Sequence, residues 1–205
     1  MEKIQTPIGR VSWAFVFGEG DEQEEGPSKY KMTLMLPQNK AALESLGLNP
    51  AQEKKTLAEV EKFIAKLQSE CKELAKATFK KKWENTRWDP VLDGDEKESS
   101  WEGYKNFWLL RAKSKYPPQV TKPKATEGFI TNGDDDEKTG FYSGCWARCF
   151  ISIFAYDFKG KKGISLGLGG IQKAYNDERF ESGGDKFDSD IEELNETSAD
   201  FGDLE

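Results

Sequence analysis

Apolar and polar positions alternate with a period of two through several stretches of the chain and with a period near 3.6 through one long stretch, and this contrast predicts the elements. Residues 8–17, IGRVSWAFVF, alternate and are rich in β-branched and aromatic side chains, which predicts a strand. Residues 29–36, KYKMTLML, predict a second strand stopped by Pro37, after which Asn39 caps a short helix that ends at Gly47. Asn49-Pro50 opens a much longer helix, with Leu57, Val60, Ile64, Leu67, Cys71 and Leu74 in one apolar stripe. The stripe covers too few heptads for a coiled coil, so packing against a sheet is expected. Residues 106–114, NFWLLRAKS, predict a third strand. Residues 145–158 and 162–175 predict two more, joined as a hairpin through Lys159-Gly160-Lys161-Lys162.

Five strands, one long helix and several loops predict a mainly β (α+β) fold, either a small barrel or a compact α+β domain. At 205 residues, with 36% apolar and 33% charged positions, the chain has enough apolar sequence for one core rather than two. No apolar run approaches a membrane span and the start lacks the apolar core of a signal peptide, so a soluble, intracellular protein is expected. Three cysteines without a paired C-x-x-C spacing predict free thiols in a reducing compartment. Histidine is absent, which removes imidazole-based triads, the H-E-x-x-H helix and the zinc-deaminase signature together.

Charge changes the picture more than composition does. The net charge is -7, yet residues 177–205 alone carry -10 and the preceding 176 residues carry +3. Residues 105–126 hold six basic side chains and no acidic one, and residues 139–176 hold five against Asp157, so these two stretches together carry +10. The compensating acid falls in turn-rich segments, residues 19–25, 89–98 and 134–137, which predict solvated loops. The expected organisation is therefore a basic body over residues 1–176 and a disordered acidic C-terminal tail over residues 177–205. Ile191, Leu194, Phe201 and Leu204 are spaced along that tail as anchors for a docking partner.

On the strand from Cys145, one face carries Cys145, Ala147, Cys149, Ile151, Ile153 and Ala155, which predicts core. The other carries Trp146, Arg148, Phe150, Ser152, Phe154 and Tyr156, rings interleaved with a guanidinium and a hydroxyl. Flat rings for unstacked bases beside cations for phosphates are what single-stranded nucleic acid requires. Arg111, Lys113, Lys115 and Tyr116 extend the candidate surface, with Trp13, Tyr30, Lys31 and Lys173 as further members. Burial of each ring in a core or under the helix is the competing expectation. Gly163, Gly167, Gly169 and Gly170 fit no phosphate-loop spacing and predict close strand packing instead. The cluster Asp134, Asp135, Asp136 and Glu137 lacks the spacing of a calcium loop or a two-metal site.

With these residues in view, the chain resembles bacteriophage single-stranded DNA-binding proteins of the OB-fold type. The matching segments are RVSWAFVF, KYKMTLMLPQNK, TRWDPVLDGDE and, most specifically, FYSGCWARCFISIFAYDFKGKKGISLGLGGIQK, so the resemblance spans most of residues 8–176. It implies a five-stranded antiparallel OB-fold-like barrel with an inserted long helix. It implies a sequence-tolerant, non-enzymatic protein that coats single-stranded DNA in phage replication and recombination, acting in the host cell cytoplasm without cofactor, metal or catalytic residue. The acidic tail of such proteins is thought to occupy the DNA groove or to recruit replication partners, a polymerase or helicase, and self-association into a homo-oligomer is open. The long helix follows the second strand rather than the third, and the chain ends Asp203-Leu204-Glu205 without a terminal aromatic, both departures from the family's plainer pattern. Three other readings compete: a strand-annealing factor, a metal-dependent nuclease using Asp93, Asp95 or Asp134, and an adaptor that contacts proteins only.

Overall fold

The computed structural model describes residues 3–20, 29–96, 102–131 and 140–180. It is mainly sheet with one long helix. Nine strands run in chain order: β1 (Ile4–Gln5), β2 (Gly9–Phe15), β3 (Tyr30–Pro37), β4 (Val91–Asp93), β5 (Phe107–Ser114), β6 (Val120–Thr121), β7 (Phe129–Ile130), β8 (Trp146–Phe158) and β9 (Lys161–Tyr175). The helix α1 (Pro50–Phe79) lies between β3 and β4.

All five strands expected from the alternation form. The hairpin turn between β8 and β9 is tighter than expected, with Lys159 at φ 48° and Gly160 at φ 80°, the two positive values a two-residue type I′ turn demands. Pairing runs β2–β3–β5–β9–β8, and β8 returns to β2 through Gly9↔Ala147 and Arg10↔Trp146. Two pairings correct the all-antiparallel expectation: β5 and β9 are parallel, with Ala112↔Leu166 and Lys113↔Gly167 in register, and so are β6 and β9, with Val120↔Ile171. A parallel neighbour needs a long connection, and residues 115–160 supply it. The margins of the sheet are short strands, β1 beside β8, β7 beside β6 and β4 beside β5.

The α1 N-terminus has the cap its sequence promised: Asn49 Oδ1 accepts from the Ala51 and Gln52 N–H groups, and Gln52 Oε1 accepts from the Asn49 N–H. Val60, Ile64, Leu67, Cys71 and Ala75 of α1 are buried in one cluster with Met32, Leu34 and Leu36 of β3, Leu110 and Ala112 of β5, and Ala147, Cys149 and Ile151 of β8. The helix stripe therefore packs on the sheet. β3 is buried on both faces, because Met35 points the other way into a second cluster with Leu43, Tyr104, Phe107, Leu109 and Trp146. That cluster lies under the 3-10 helix Lys40–Leu46, capped by Asn39 and closed by Gly47 at φ 56°.

The body extends past its expected end at residue 176. Asp177 Oδ2 accepts from Ser45 Oγ at 2.5 Å and from Trp146 Nε1 at 2.6 Å, and Asp177 Oδ1 lies 3.5 Å from Arg10 Nη2. The Glu178 oxygen accepts from Arg10, Phe180 N–H donates to the Ser143 oxygen, and the Phe180 ring lies 4.3 Å beneath the Arg10 guanidinium. Residues 177–180 are thus a strap on the domain. Residues 181–205, with Ile191, Leu194, Phe201 and Leu204, lie outside the described residues. Among the described residues no helix is long and apolar enough to cross a membrane.

Candidate nucleic-acid interface

The rings of β8 lie over a floor of glycines in β9. A Cβ at Gly163 would meet Tyr156 Oη at 2.8 Å, one at Gly167 would meet Ser152 Oγ at 2.5 Å and Phe154 Cε1 at 3.7 Å, and one at Gly169 would meet Phe150 Cβ at 3.4 Å. Glycine at these positions leaves the outward face of β9 bare, and side chains of the neighbouring strand occupy that space. The glycine run therefore packs strands, and it also leaves Phe150 38% exposed along the sheet surface, with Phe154 and Tyr156 half-buried beside it.

A second group of rings sits on β2. Its pairing with β3 shifts register between Ser12 and Phe15, a bulge, and Trp13 adopts φ 51°. A bulky side chain at positive φ is strained. The bulge turns the Trp13 ring outward, 57% exposed, and stacks it on Phe15 with centroids 6.3 Å apart and planes 24° from parallel. Lys31 Nζ lies 5.1 Å from the centre of the Phe15 ring. Strain at an exposed ring is a feature that folding alone does not reward.

Register joins the two groups. Phe15 is opposite Lys31, Lys31 opposite Lys113, Lys113 opposite Gly167 and Gly167 opposite Ser152. Residues in register share a face, so one belt crosses β2, β3, β5, β9 and β8, roughly 19 Å at ~4.8 Å per strand step. It carries rings at both ends and cations in the middle. Arg111, opposite Thr33, is exposed next to the belt, and so are Lys115 and Tyr116 past the end of β5, Tyr116 at 77%. Partial burial, with Lys29 and Lys31 close by, holds the Lys113 amine below the usual lysine range. This crowding of like charges is what a bound anion relieves.

Several expected members of the surface lie elsewhere. Trp146 is 1% exposed: β8 begins beneath the strap and the 3-10 helix, so its ring packs on Phe107 and its N–H goes to Asp177. It cannot stack a base from there. Lys173 is 2% exposed, its amine donating to the Gly140 oxygen and lying 5.1 Å from the centre of the Tyr142 ring, which removes it from the phosphate contacts. Arg148 is half-buried and donates from Nε to Gln172 Oε1 at 2.8 Å, and a turned Gln5 amide would place its oxygen 2.9 Å from Arg148 Nε and Nη1. The guanidinium among the rings thus has protein partners of its own. Tyr30 donates its hydroxyl to the Gly18 oxygen and ties the start of β3 to the start of the preceding loop.

Phe15 and Lys29 join the belt without having been expected there, and Ser152 stands on the face that alternation gave it. The alternation of RVSWAFVF places Phe15 two residues from Trp13, and that spacing was the available signal. Of the acidic residues, Asp93 Oδ1 accepts from Gln38 Nε2 and from the Asp95 N–H, and Asp95 accepts from the Asn106 N–H, so both shape their loop. The segments at 21–25 and 134–137 lie outside the described residues, and among the described residues no group of three His, Cys, Asp or Glu side chains could hold a metal. Burial pushes the thiols up, Cys71 and Cys149 to about 12 and Cys145 to about 11, so all three are unreactive free thiols.

Comparison with known proteins identifies a family and a shared fold. The family model for the Enterobacter phage Enc34 ssDNA-binding protein matches residues 2–201. No curated protein matches the chain. Among solved structures, the single-stranded DNA-binding protein from bacteriophage Enc34 in complex with ssDNA is 20% identical with a TM-score of 0.60, over 87% of this chain and 89% of that one. Its C-terminal truncation is 21% identical with a TM-score of 0.58, over 87% and 88%. The single-stranded DNA binding protein gp2.5 encoded by bacteriophage T7 is 14% identical with a TM-score of 0.51, over 95% and 97%.

Proposed function

The chain belongs to the family of the Enterobacter phage Enc34 ssDNA-binding protein, and from that premise we propose how it holds a single strand. It is a single-stranded DNA-binding protein of phage replication. We read the β2–β3–β5–β9–β8 pairing as a five-stranded OB-type barrel with α1 inserted, and the belt across it as the DNA path. Trp13, Phe15, Phe150, Phe154 and Tyr156 stack bases, at ~1–3 kcal/mol per base, and Lys29, Lys31, Arg111, Lys113 and Lys115 meet phosphates. Tyr116 offers a further ring at the exit of β5. In this reading it acts by binding alone, without catalytic residue, cofactor or metal, in the host cytoplasm during replication and recombination.

The observation that carries this reading is the register Phe15–Lys31–Lys113–Gly167–Ser152, which places rings and cations on one continuous face. Stacking is tolerant of sequence because every base has a π-face, so binding is sequence-independent. The acidic residues after position 180 compete with DNA for this face and recruit a polymerase or helicase through Ile191, Leu194, Phe201 and Leu204.

The test is a tryptophan-fluorescence titration with oligo(dT) and with duplex DNA at two salt concentrations, for the full chain and for a form ending at residue 180. That end point keeps the Asp177 strap. Single-strand binding with a log–log salt slope near -0.7 per phosphate supports the belt, and the shorter form binding more tightly at low salt supports competition. Absence of binding by either form at low salt overturns the belt, and weaker binding by the shorter form overturns competition.

A further inference from the structure

Past Tyr156 the surface continues. Beside Gly163, the Arg87 backbone oxygen and Cβ lie 2.6 and 2.9 Å from where a Cβ would stand, with Tyr156 Oη at 2.8 Å. The Arg87 N–H donates to the Lys162 oxygen at 3.0 Å and the Ile164 N–H donates to the Arg87 oxygen at 2.8 Å, so this segment is stitched to the β8–β9 hairpin. Just before it runs the 3-10 helix Lys80–Asn85, with Lys80, Lys81 and Lys82 exposed. On the hairpin Lys159, Lys161 and Lys162 are exposed, and so is Phe158, at 64%.

The corner is strongly cationic. Residues 72–87 hold six basic side chains against Glu73 and Glu84, and residues 157–162 hold three against Asp157, a net +6. Two of these acids are already paired, Glu73 with Lys76 at 2.9 Å and Asp157 with Lys162 at 3.0 Å. Some of the charge has a packing reason: Lys72 lies 5.5 Å from the Trp83 ring and 6.0 Å from that of Trp88, and Lys76 lies 5.6 Å from that of Trp83. The side chains of Lys81, Lys82 and Arg87 make no such contact among the described residues. Phe158 lies beneath Lys159, whose Nζ is 5.4 Å from the ring centre, so it is the three cations that folding leaves unaccounted for.

We infer that this corner, formed by the 3-10 helix Lys80–Asn85, Arg87 and the β8–β9 hairpin tip, is a second nucleic-acid contact that grips the phosphates of the single strand leaving the belt at Tyr156. The inference rests on the belt as the DNA path and adds a stretch of backbone to it. A single strand is the occupant because the corner adjoins the belt across one glycine, so a strand passing Tyr156 meets Arg87 and the hairpin without bridging a gap. Contacts there are mainly ionic, so they add affinity and salt dependence without base preference.

The test uses the full chain carrying Lys81→Gln, Lys82→Gln and Arg87→Gln together. All three side chains are exposed, and an unchanged Tm verifies the fold. Affinity is measured for oligo(dT) of about 6 and about 16 nucleotides, lengths near the lower and upper ends of OB-fold site sizes. The expected result is unchanged affinity for the short strand and about tenfold weaker binding of the long one, whose log–log salt slope loses about 2, or ~0.7 per phosphate contact. Equal loss at both lengths overturns the inference, since it means that the corner acts on the belt, as it would if its occupant were the chain's own acidic segment. No loss at either length overturns it too. A native protein that binds neither strand overturns the belt itself, a result distinct from a native protein that binds while the variant is indifferent.

Discussion

The Asp177 carboxylate accepts the Trp146 indole N–H at 2.6 Å, which ties a residue past the last strand to the first residue of β8. Burial would raise the Asp177 carboxyl, but hydrogen bonds from Ser45, Trp146 and the Glu178 N–H, with Arg10 nearby, hold it below the usual carboxylate range. One side chain thereby joins β2, the 3-10 helix Lys40–Leu46, β8 and the strap.

Asp177→Ala leaves the indole N–H buried without its acceptor, a cost of about 1–3 kcal/mol. Tm should fall by about 2–4 °C for each kcal/mol, read by thermal denaturation. Because the folded-state pKa is depressed, this contribution is present above the unfolded carboxylate value and is lost as pH falls through the folded one. The difference between native and variant proteins should therefore shrink in acid. Trp146→Phe should also lower Tm while leaving oligo(dT) affinity unchanged, and a matched loss of affinity would return Trp146 to the interface.

Trp13→Gly separates stacking from folding. Glycine accepts φ 51° without strain, so Tm should hold or rise, whereas affinity for oligo(dT) should fall about 5- to 150-fold, the equivalent of ~1–3 kcal/mol. An abasic strand of the same length offers nothing to stack, so it should bind native and variant proteins alike. Equal weakening on both strands would assign Trp13 to structure.

Two glycines of the β9 floor should respond differently to alanine. At Gly163 the new Cβ meets the Arg87 backbone oxygen at 2.6 Å, which cannot rotate away, so Gly163→Ala should destabilise the fold. At Gly167 the first obstacle is the Ser152 hydroxyl, which can turn, and Phe154 at 3.7 Å is in ordinary contact, so Gly167→Ala should fold and weaken DNA binding by setting a methyl group in the belt between Lys113 and Ser152. Circular dichroism and a binding titration on the same samples separate the two outcomes.

Lys113 predicts a pH dependence. Its amine is held below the usual lysine range by partial burial, then by Lys29 and Lys31, and a phosphate in the belt would raise it again. Binding then takes up a proton, so affinity is full below the free-state pKa and declines as pH rises through it. Lys113→Gln should bind more weakly at neutral pH and show a flatter alkaline profile, measured by titration at constant ionic strength.

Much of the fold was legible because period and punctuation agree. Alternation marked the five long strands, and Asn49-Pro50 with its apolar stripe marked α1. The two-residue strands β1, β6 and β7 and the three-residue β4 are too short to show a period. The parallel β5–β9 pairing depends on tertiary contacts that no local pattern encodes.

The site was legible in kind and less so in place. Alternation on β8 separated Cys149 and Ile151 from Phe150 correctly, but it could not reveal that a strap and a short helix cover Trp146. Arg148 looked unpaired in sequence because its amide partner Gln172 stands on the adjoining strand. The bulge that turns Trp13 outward breaks the very alternation by which its side was to be judged.

The sheet's margins bear on what happens when many copies crowd along one strand of DNA. Proteins packed side by side bring their sheets close, and a long bare edge would invite hydrogen-bonded fusion of neighbours. Here the marginal strands β1, β4 and β7 offer two or three residues each, whereas the edge of β8 away from β9 is covered by β1 and β2 only between Trp146 and Ile151. Among the described residues, 152–158 of β8 is therefore the stretch on which a crowded neighbour can add a strand, and the short margins are not.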